Sequence, residues 1–213
     1  MTAVEVDRNL TALLRAELGG RRDLRVVEAD LARLDWPATL AEAGPRPVVA
    51  GNLPYVLTSV VLFALADERQ AHAGAVLMVQ REVAERLAAA PGSRSYGVAA
   101  VVMRSLFQVE VLRTVPPNVF WPQPEVESAV VRLSAGVPWP EAEYRTFVAT
   151  VKTVFGHRRK QLGAILRRAY ELTAAQAEAV AAAAGCTAAA RPEQLDLAAW
   201  RRLARAVPSR RGS

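Results

Sequence analysis

Four short β-branched runs dominate the first eighty residues: TAVEV (Thr2 to Val6), LRVVE (Leu24 to Glu28), PVVA (Pro47 to Ala50) and AVLMVQ (Ala75 to Gln80). Stretches such as RNLTALLRAEL and REVAERLAAA repeat their apolar residues at the 3.6-residue helical period. Strands alternating with amphipathic helices bury both element types only as a parallel sheet with crossover helices, so an α/β fold is expected. FQVEVLRTVPPNVF and SAVVRLSA then follow with no helix between them, and the sheet is expected to finish with an antiparallel, hairpin-like pair.

AGVPWPEAE (Ala135 to Glu143), with two prolines and a glycine, reads as a linker. Beyond it the pattern is helical and Ala-rich as far as Val207, and PSRRGS reads as a disordered tail. The expected organisation is therefore an α/β domain over 1–136, a small all-α basic domain over 137–207 and a disordered tail over 208–213.

Charge separates the same two regions. Residues 1–140 hold 14 Lys and Arg against 15 Asp and Glu, whereas residues 141–213 hold 13 against 6, a net of +7. A basic end on a near-neutral body suits a polyanion gripped by one module while the other does something else, and nucleic acid is the commonest such partner. The apolar runs are too short to span a bilayer, and the N-terminus lacks the basic-then-apolar layout of a signal peptide, so a cytoplasmic protein is expected. The single cysteine, Cys186, excludes an internal disulfide and reads as a small filler; His72 and His157 have no partner at ligand spacing, so no metal is expected.

In open α/β sheets ligands bind beyond the carboxyl ends of the strands. The residues there are Glu5, Val6 and Asp7 after the first run, Glu28, Ala29 and Asp30 after the second, and Asn52, Leu53, Pro54 and Tyr55 after the third. A strand-end acid can accept both hydroxyls of a ribose, and a second acid on the next strand can accept an adenine amine, which together read an adenosine-bearing cofactor. Each acid can equally be solvated or cap the helix that follows it.

The Asn-Leu-Pro-Tyr tetrad is more specific in this position. An exocyclic amine on a base is a poor nucleophile because its lone pair is delocalised into the ring. Accepting its hydrogens on the Asn52 side-chain carbonyl and the Leu53 main-chain carbonyl favours a more tetrahedral nitrogen. Pro54 would hold the turn that aims both oxygens, and Tyr55 would stack on a flipped-out base and stabilise the positive charge that develops as the amine attacks an electrophilic methyl group.

The segments TAVEVDRNL, VVEADLARLDW, VVAGNLPYVLTSVVL, MVQREVAERLAAAPGSRSYG and VPPNVFWPQPEVESAVVRL, in that order, resemble the rRNA adenine N6,N6-dimethyltransferases, and within them the bacterial small-subunit branch linked to kasugamycin sensitivity. The likeness continues more loosely through VFGHRRKQLGAIL and RPEQLDLAAWRRLA. It implies a class I, Rossmann-like methyltransferase domain over 1–136, with S-adenosylmethionine as methyl donor, no metal, small-subunit rRNA or its ribosomal precursor as partner, and a monomer. By position, it implies Glu5 as the ribose-binding acid, Asp30 as the acid reading the cofactor adenine, and Asn52 as a residue facing both cofactor and target. Tyr55 matches the motif aromatic and Phe120 the second aromatic that stacks on the target adenine.

The likeness lacks its beginning. Class I methyltransferases open with a strand and a Gly-x-Gly-x-Gly turn; this chain starts where the family's second strand stands. The absent strand belongs in the middle of the sheet, between those ending at Glu5 and Asn52, so a gap with unpaired backbone groups is expected there. The chain reads as a fragment or a late start, with poor stability and little cofactor affinity if it truly starts at Met1.

In the C-terminal region, GHRRKQLGAILRRAY places Arg158, Arg159, Lys160, Arg167 and Arg168 within a few expected helical turns, with Phe155, Leu162, Ile165 and Leu166 toward the core. Such a helix could grip RNA phosphates without reading sequence, or be a solvated basic face. Trp121 and Trp139 read as packing or linker anchors. Three functions fit: an rRNA adenine dimethyltransferase, a catalytically inactive rRNA-binding assembly module, and, less well, a DNA adenine methyltransferase.

Overall fold

The computed structural model describes residues 1–136 and 139–208, so the expected tail from residue 209, including Arg210 and Arg211, and linker residues Val137 and Pro138 lie outside the described residues. The chain divides into two compact units, Met1–Arg81 with Glu110–Ala135, and Glu82–Val109 with Gly136–Ser213.

The first unit carries strands β1 (Thr2–Glu5), β2 (Arg25–Glu28), β3 (Val48–Asn52), β4 (Gly74–Gln80), most of β5 (Phe107–Val115) and β6 (Ser128–Ala135), with helices α1 (Arg8–Leu18), α2 (Trp36–Ala43) and α3 (Thr58–Asp67). Helix α1 starts where it does because the amides of Asn9 and Leu10 donate to Asp7 Oδ1 at 2.7 and 3.1 Å. Helix α2 uses Asp35 in the same way, through the Ala38 amide at 3.0 Å.

β1 and β2 pair in parallel, with Glu5 opposite Glu28. The other strands run in the order β3-β4-β6-β5, with β3 parallel and β6 antiparallel to β4. The strands therefore form two sheets, and among the described residues no ladder joins β1 to β3, where the gap was expected. The small sheet is thinly covered: α1 buries Thr11 but leaves Leu10 and Leu13 exposed. A two-stranded sheet has too little buried face to be stable alone.

The core of this unit sits on the larger sheet. The register sets Ala75 opposite Leu133, Leu77 opposite Val131 and Val79 opposite Ala129, and all six side chains are buried with Val61, Leu62 and Leu65 of α3. Each fully buried Leu or Val here contributes about 1.5–3 kcal/mol of transfer free energy. Gly74 opens β4 at φ +151°, and a Cβ there would stand 2.4 Å from the Leu133 carbonyl oxygen, so only glycine fits. Strand β5 ends at Val115, short of the expected Phe120, because Pro116 and Pro117 have no N–H to give a ladder; the chain turns instead through a short 3₁₀ segment, Pro117–Val119.

The second unit holds α4 (Arg81–Ala88, from its second residue), α5 (Val98–Leu106), α6 (Glu141–Phe155), α7 (Leu162–Ala169), α8 (Ala174–Ala183) and α9 (Leu197–Ala206). Residues Glu82–Val109 thus group with the C-terminal helices, although the sequence places them on the other side of a boundary at residue 136. The reason is packing: α5 lies against α6 and α9. Phe155 stacks on Trp200 with ring centroids 5.0 Å apart, and Tyr96 meets Phe155 edge-on at 6.2 Å. Trp139 is buried, its Nε1 donating to the Ser105 carbonyl at 3.1 Å and its ring tilted on Phe147 at 4.7 Å. No helix among the described residues is long and apolar enough to cross a membrane.

Candidate active site

β3 delivers Asn52 to its carboxyl end, and the Leu53 amide then bonds the Met78 carbonyl at 3.1 Å, holding the strand to β4 one residue further. Leu53 is buried, which fixes the peptide it belongs to. Pro54, at φ −55°, starts the 3₁₀ turn Tyr55–Leu57, closed by the Leu57 amide on the Pro54 carbonyl at 2.9 Å. α3 begins immediately afterwards, so the tetrad sits between two rigid elements.

These residues form one side of a cavity of about 380 Å³. The other side comes from the segment between β5 and β6: Phe120, Trp121, Pro122, Pro124 and Ser128. The Tyr55 hydroxyl lies 3.4 Å from Ser128 Oγ, a long hydrogen bond across the opening. Asn52, Leu53, Pro54, Tyr55 and Phe120 are therefore brought together around one opening at the small end of the ligand-pocket range.

The two acids are placed differently. Glu5 and Asp30 lie at the carboxyl ends of neighbouring parallel strands but do not line this cavity. Glu5 Oε1 accepts from the Val6 and Asp7 amides at 2.8 and 2.9 Å, and Asp30 Oδ1 accepts from the Ala32 amide at 2.8 Å. Each carboxylate is thus oriented by its own turn through one oxygen. Asp7, by contrast, is a helix cap, and Glu28 pairs with Arg8 at 3.1 Å. Two carboxylates oriented at adjacent strand ends suit the hydroxyl and amine donors of an adenosine, so the residues present fit the expected cofactor. Among the described residues no group of three or more His, Cys, Asp or Glu side chains could hold a metal ion.

In the second unit the basic residues are not on one helix. α6 stops at Phe155 and Gly156, and Arg158, Arg159 and Lys160 lie on a turn held by the Lys160 amide on the His157 carbonyl at 2.8 Å; Arg167 and Arg168 lie in the last turn of α7. The continuous helix expected there is broken because residues after Gly156 bond each other and Leu162 donates to the Ala190 carbonyl at 2.7 Å. Phe155, Leu162, Ile165 and Leu166 are buried as their spacing requires.

Arg158 lines a larger cavity, about 740 Å³, together with Arg86, Arg94, Glu82, Tyr96 and the first residues of α5. Arg86 pairs with Glu82, and Arg158 Nη2 reaches the Arg94 carbonyl at 3.5 Å. Gly97 gives α5 no side-chain cap, so its first amides add to the positive wall. Burial pushes the Tyr96 hydroxyl up to about 12, against the opposing charge of Arg104, and that hydroxyl donates to the Leu195 carbonyl at 3.0 Å. Sequence reading missed that Arg86 and Arg94 lie with Arg158; for Arg94 the available signal was its place in a Pro-Gly turn just ahead of a helix start, whereas Arg86 sits in the last turn of α4. It also misplaced Trp121, which is 97% exposed at the smaller cavity.

Comparison with known proteins agrees with the resemblance. Residues 1–204 match the ribosomal RNA adenine dimethylase family. Ribosomal RNA small subunit methyltransferase A of Anaeromyxobacter sp. (strain K) is 44% identical, over 97% of this chain and 75% of the relative; that of Acidobacterium capsulatum is 41% identical, over 95% and 73%. Among solved structures, a dimethyladenosine transferase from Plasmodium falciparum superposes with TM-score 0.76 at 22% identity, covering 95% of this chain and 79% of that one. The 23S rRNA methyltransferase ErmE gives 0.67 at 25%, covering 97% and 81%. The α/β architecture is thus the class I methyltransferase fold. On the match along nearly its whole length, this chain belongs to the ribosomal RNA adenine dimethylase family.

Proposed function

We propose that this chain transfers methyl groups from S-adenosylmethionine to N6 of adenosines in small-subunit rRNA, giving N6,N6-dimethyladenosine during subunit biogenesis, as a cytoplasmic monomer. The observation that carries the site assignment is the convergence of Asn52, Leu53, Pro54, Tyr55 and Phe120, from two separate segments, on one cavity of base-accommodating size.

The target adenine stacks on Tyr55 and Phe120 after leaving its own stack. The Asn52 side-chain oxygen and the Leu53 carbonyl accept its two N6 hydrogens and draw the nitrogen lone pair out of the ring. Pro54 holds the two acceptors in register. Glu5 would hold the ribose hydroxyls and Asp30 the adenine amine of the cofactor, which would supply a methyl group made electrophilic by its sulfonium. The Tyr55 ring would face the positive charge that N6 gains on accepting that methyl group. The proton then leaves to water, so no general base is needed.

Arg158, Arg159, Lys160, Arg167 and Arg168 contact rRNA phosphates, with Arg86 and Arg94 extending the surface around Arg158. A second reading, an rRNA-binding assembly module without catalysis, is favoured by one observation, the division of the strands into two sheets where the donor side should be continuous. Asn52→Ala separates the two: transfer to small subunits lacking the modification is abolished while rRNA binding stays within about threefold. Equal loss of both would remove the role given to Asn52, and absence of transfer by the unaltered chain with RNA binding intact would establish the second reading.

A further inference from the structure

Trp121 is the most exposed of the large apolar side chains among the described residues, 97% open to solvent. A lone exposed apolar residue is ordinary; its position is not. It lines the same cavity as Asn52 and Tyr55 and follows Phe120 directly. Phe120 has extended backbone, φ −110° and ψ 151°. Phe120 is half-buried, whereas the indole next to it stands clear.

Extruding one base from a strand also strips its neighbour of a stacking partner. The geometry points to Trp121 as a stacking platform for the nucleobase next to the methylated adenine, an assignment that rests on the target-base reading of the cavity. An indole suits a base because every base has a π-face, so the contact fixes strand position without selecting a sequence. Trp121 is accordingly a substrate-positioning residue, one nucleotide away from the reacting nitrogen.

The test uses the full chain and a fluorescently labelled RNA hairpin whose loop holds one adenosine, with companion hairpins carrying an abasic nucleotide on either side of that adenosine. Because the residue is 97% exposed, Trp121→Ala, Trp121→Leu and Trp121→Phe all retain the fold, checked by thermal melting. Trp121→Ala and Trp121→Leu weaken binding roughly 5- to 150-fold, the worth of one base–aromatic stack, while Trp121→Phe stays within several-fold. On one abasic hairpin the unaltered chain loses that same factor and Trp121→Ala adds nothing to it. Binding by Trp121→Ala within twofold of the parent, a harmless Trp121→Leu, or an undiminished loss on both abasic hairpins would overturn the assignment while leaving the target-base reading in place. A parent chain that binds the hairpin no better than one whose loop lacks adenosine, and is indifferent to Phe120→Ala, would overturn both.

Discussion

Tyr55 distinguishes a ring that stacks from a hydroxyl that moves a proton. Among the described residues its hydroxyl makes one bond, to Ser128 Oγ at 3.4 Å, long enough that its loss costs less than about 1 kcal/mol. The residue, by contrast, is 38% exposed and lines the cavity, where its ring can meet a base. Stacking on the target is worth about 1–3 kcal/mol, and facing the cationic nitrogen in the transition state adds about 0.5–2 kcal/mol. Tyr55→Ala therefore lowers kcat/KM by about 1.5–5 kcal/mol of transition-state stabilisation, roughly 10-fold to several thousand-fold, whereas Tyr55→Phe stays within about fivefold. The assay is incorporation of labelled methyl groups into small subunits isolated without the modification, with thermal melting to confirm that both variants fold. If Tyr55→Phe is as impaired as Tyr55→Ala, the hydroxyl and not the ring carries the function, and the stacking argument is refuted.

In the basic cavity, replacing Arg94 and Arg158 together by Ala weakens RNA binding and flattens the dependence of log K on log salt by about 1 for each phosphate no longer neutralised; an unchanged slope in a salt titration removes them from the phosphate surface. Tyr96 ionises near 12 when folded, above its ordinary value of about 10, so its contribution to stability is complete below pH 10 and falls as pH rises toward 12. Urea denaturation across pH 9–12 should show that decline and its reduction in Tyr96→Phe, which also loses about 1–2 kcal/mol at neutral pH by leaving the Leu195 carbonyl without its donor. Gly74→Ala drives a Cβ to 2.4 Å from the Leu133 oxygen in a backbone conformation that L residues rarely adopt, and should lower the urea midpoint by the equivalent of about 1–3 kcal/mol or more; an unchanged midpoint contradicts the close approach of β4 and β6.

Much was legible in the chain because the information was local. The β-branched runs at Val48 to Asn52 and Ala75 to Gln80 became β3 and β4, and the acids and the tetrad fell at strand ends as alternation requires. The apolar spacing of Phe155, Leu162, Ile165 and Leu166 marked a buried face even though the helix assumed to carry it is two pieces joined by a turn. Periodicity reports which side chains are buried; it says little about where hydrogen bonds such as Leu162 to Ala190 interrupt the backbone.

Trp121 and Trp139 show the limit most clearly. Both precede a proline in a Pro-rich stretch and look alike in sequence, yet Trp139 is buried with its indole N–H on Ser105 while Trp121 stands bare at the cavity mouth. The sequence by itself determined the fold class, the strand-end position of Asn52 and the basic character of the C-terminal region, because residue type and short-range spacing encode them. Only the tertiary structure decided that Phe120 shares a cavity with Tyr55, that Arg86 and Arg94 join Arg158, and that residues 82–109 belong with the C-terminal helices. Those relations join positions tens of residues apart in the chain, and burial and pairing across such distances are set by how whole elements pack, which no local pattern records.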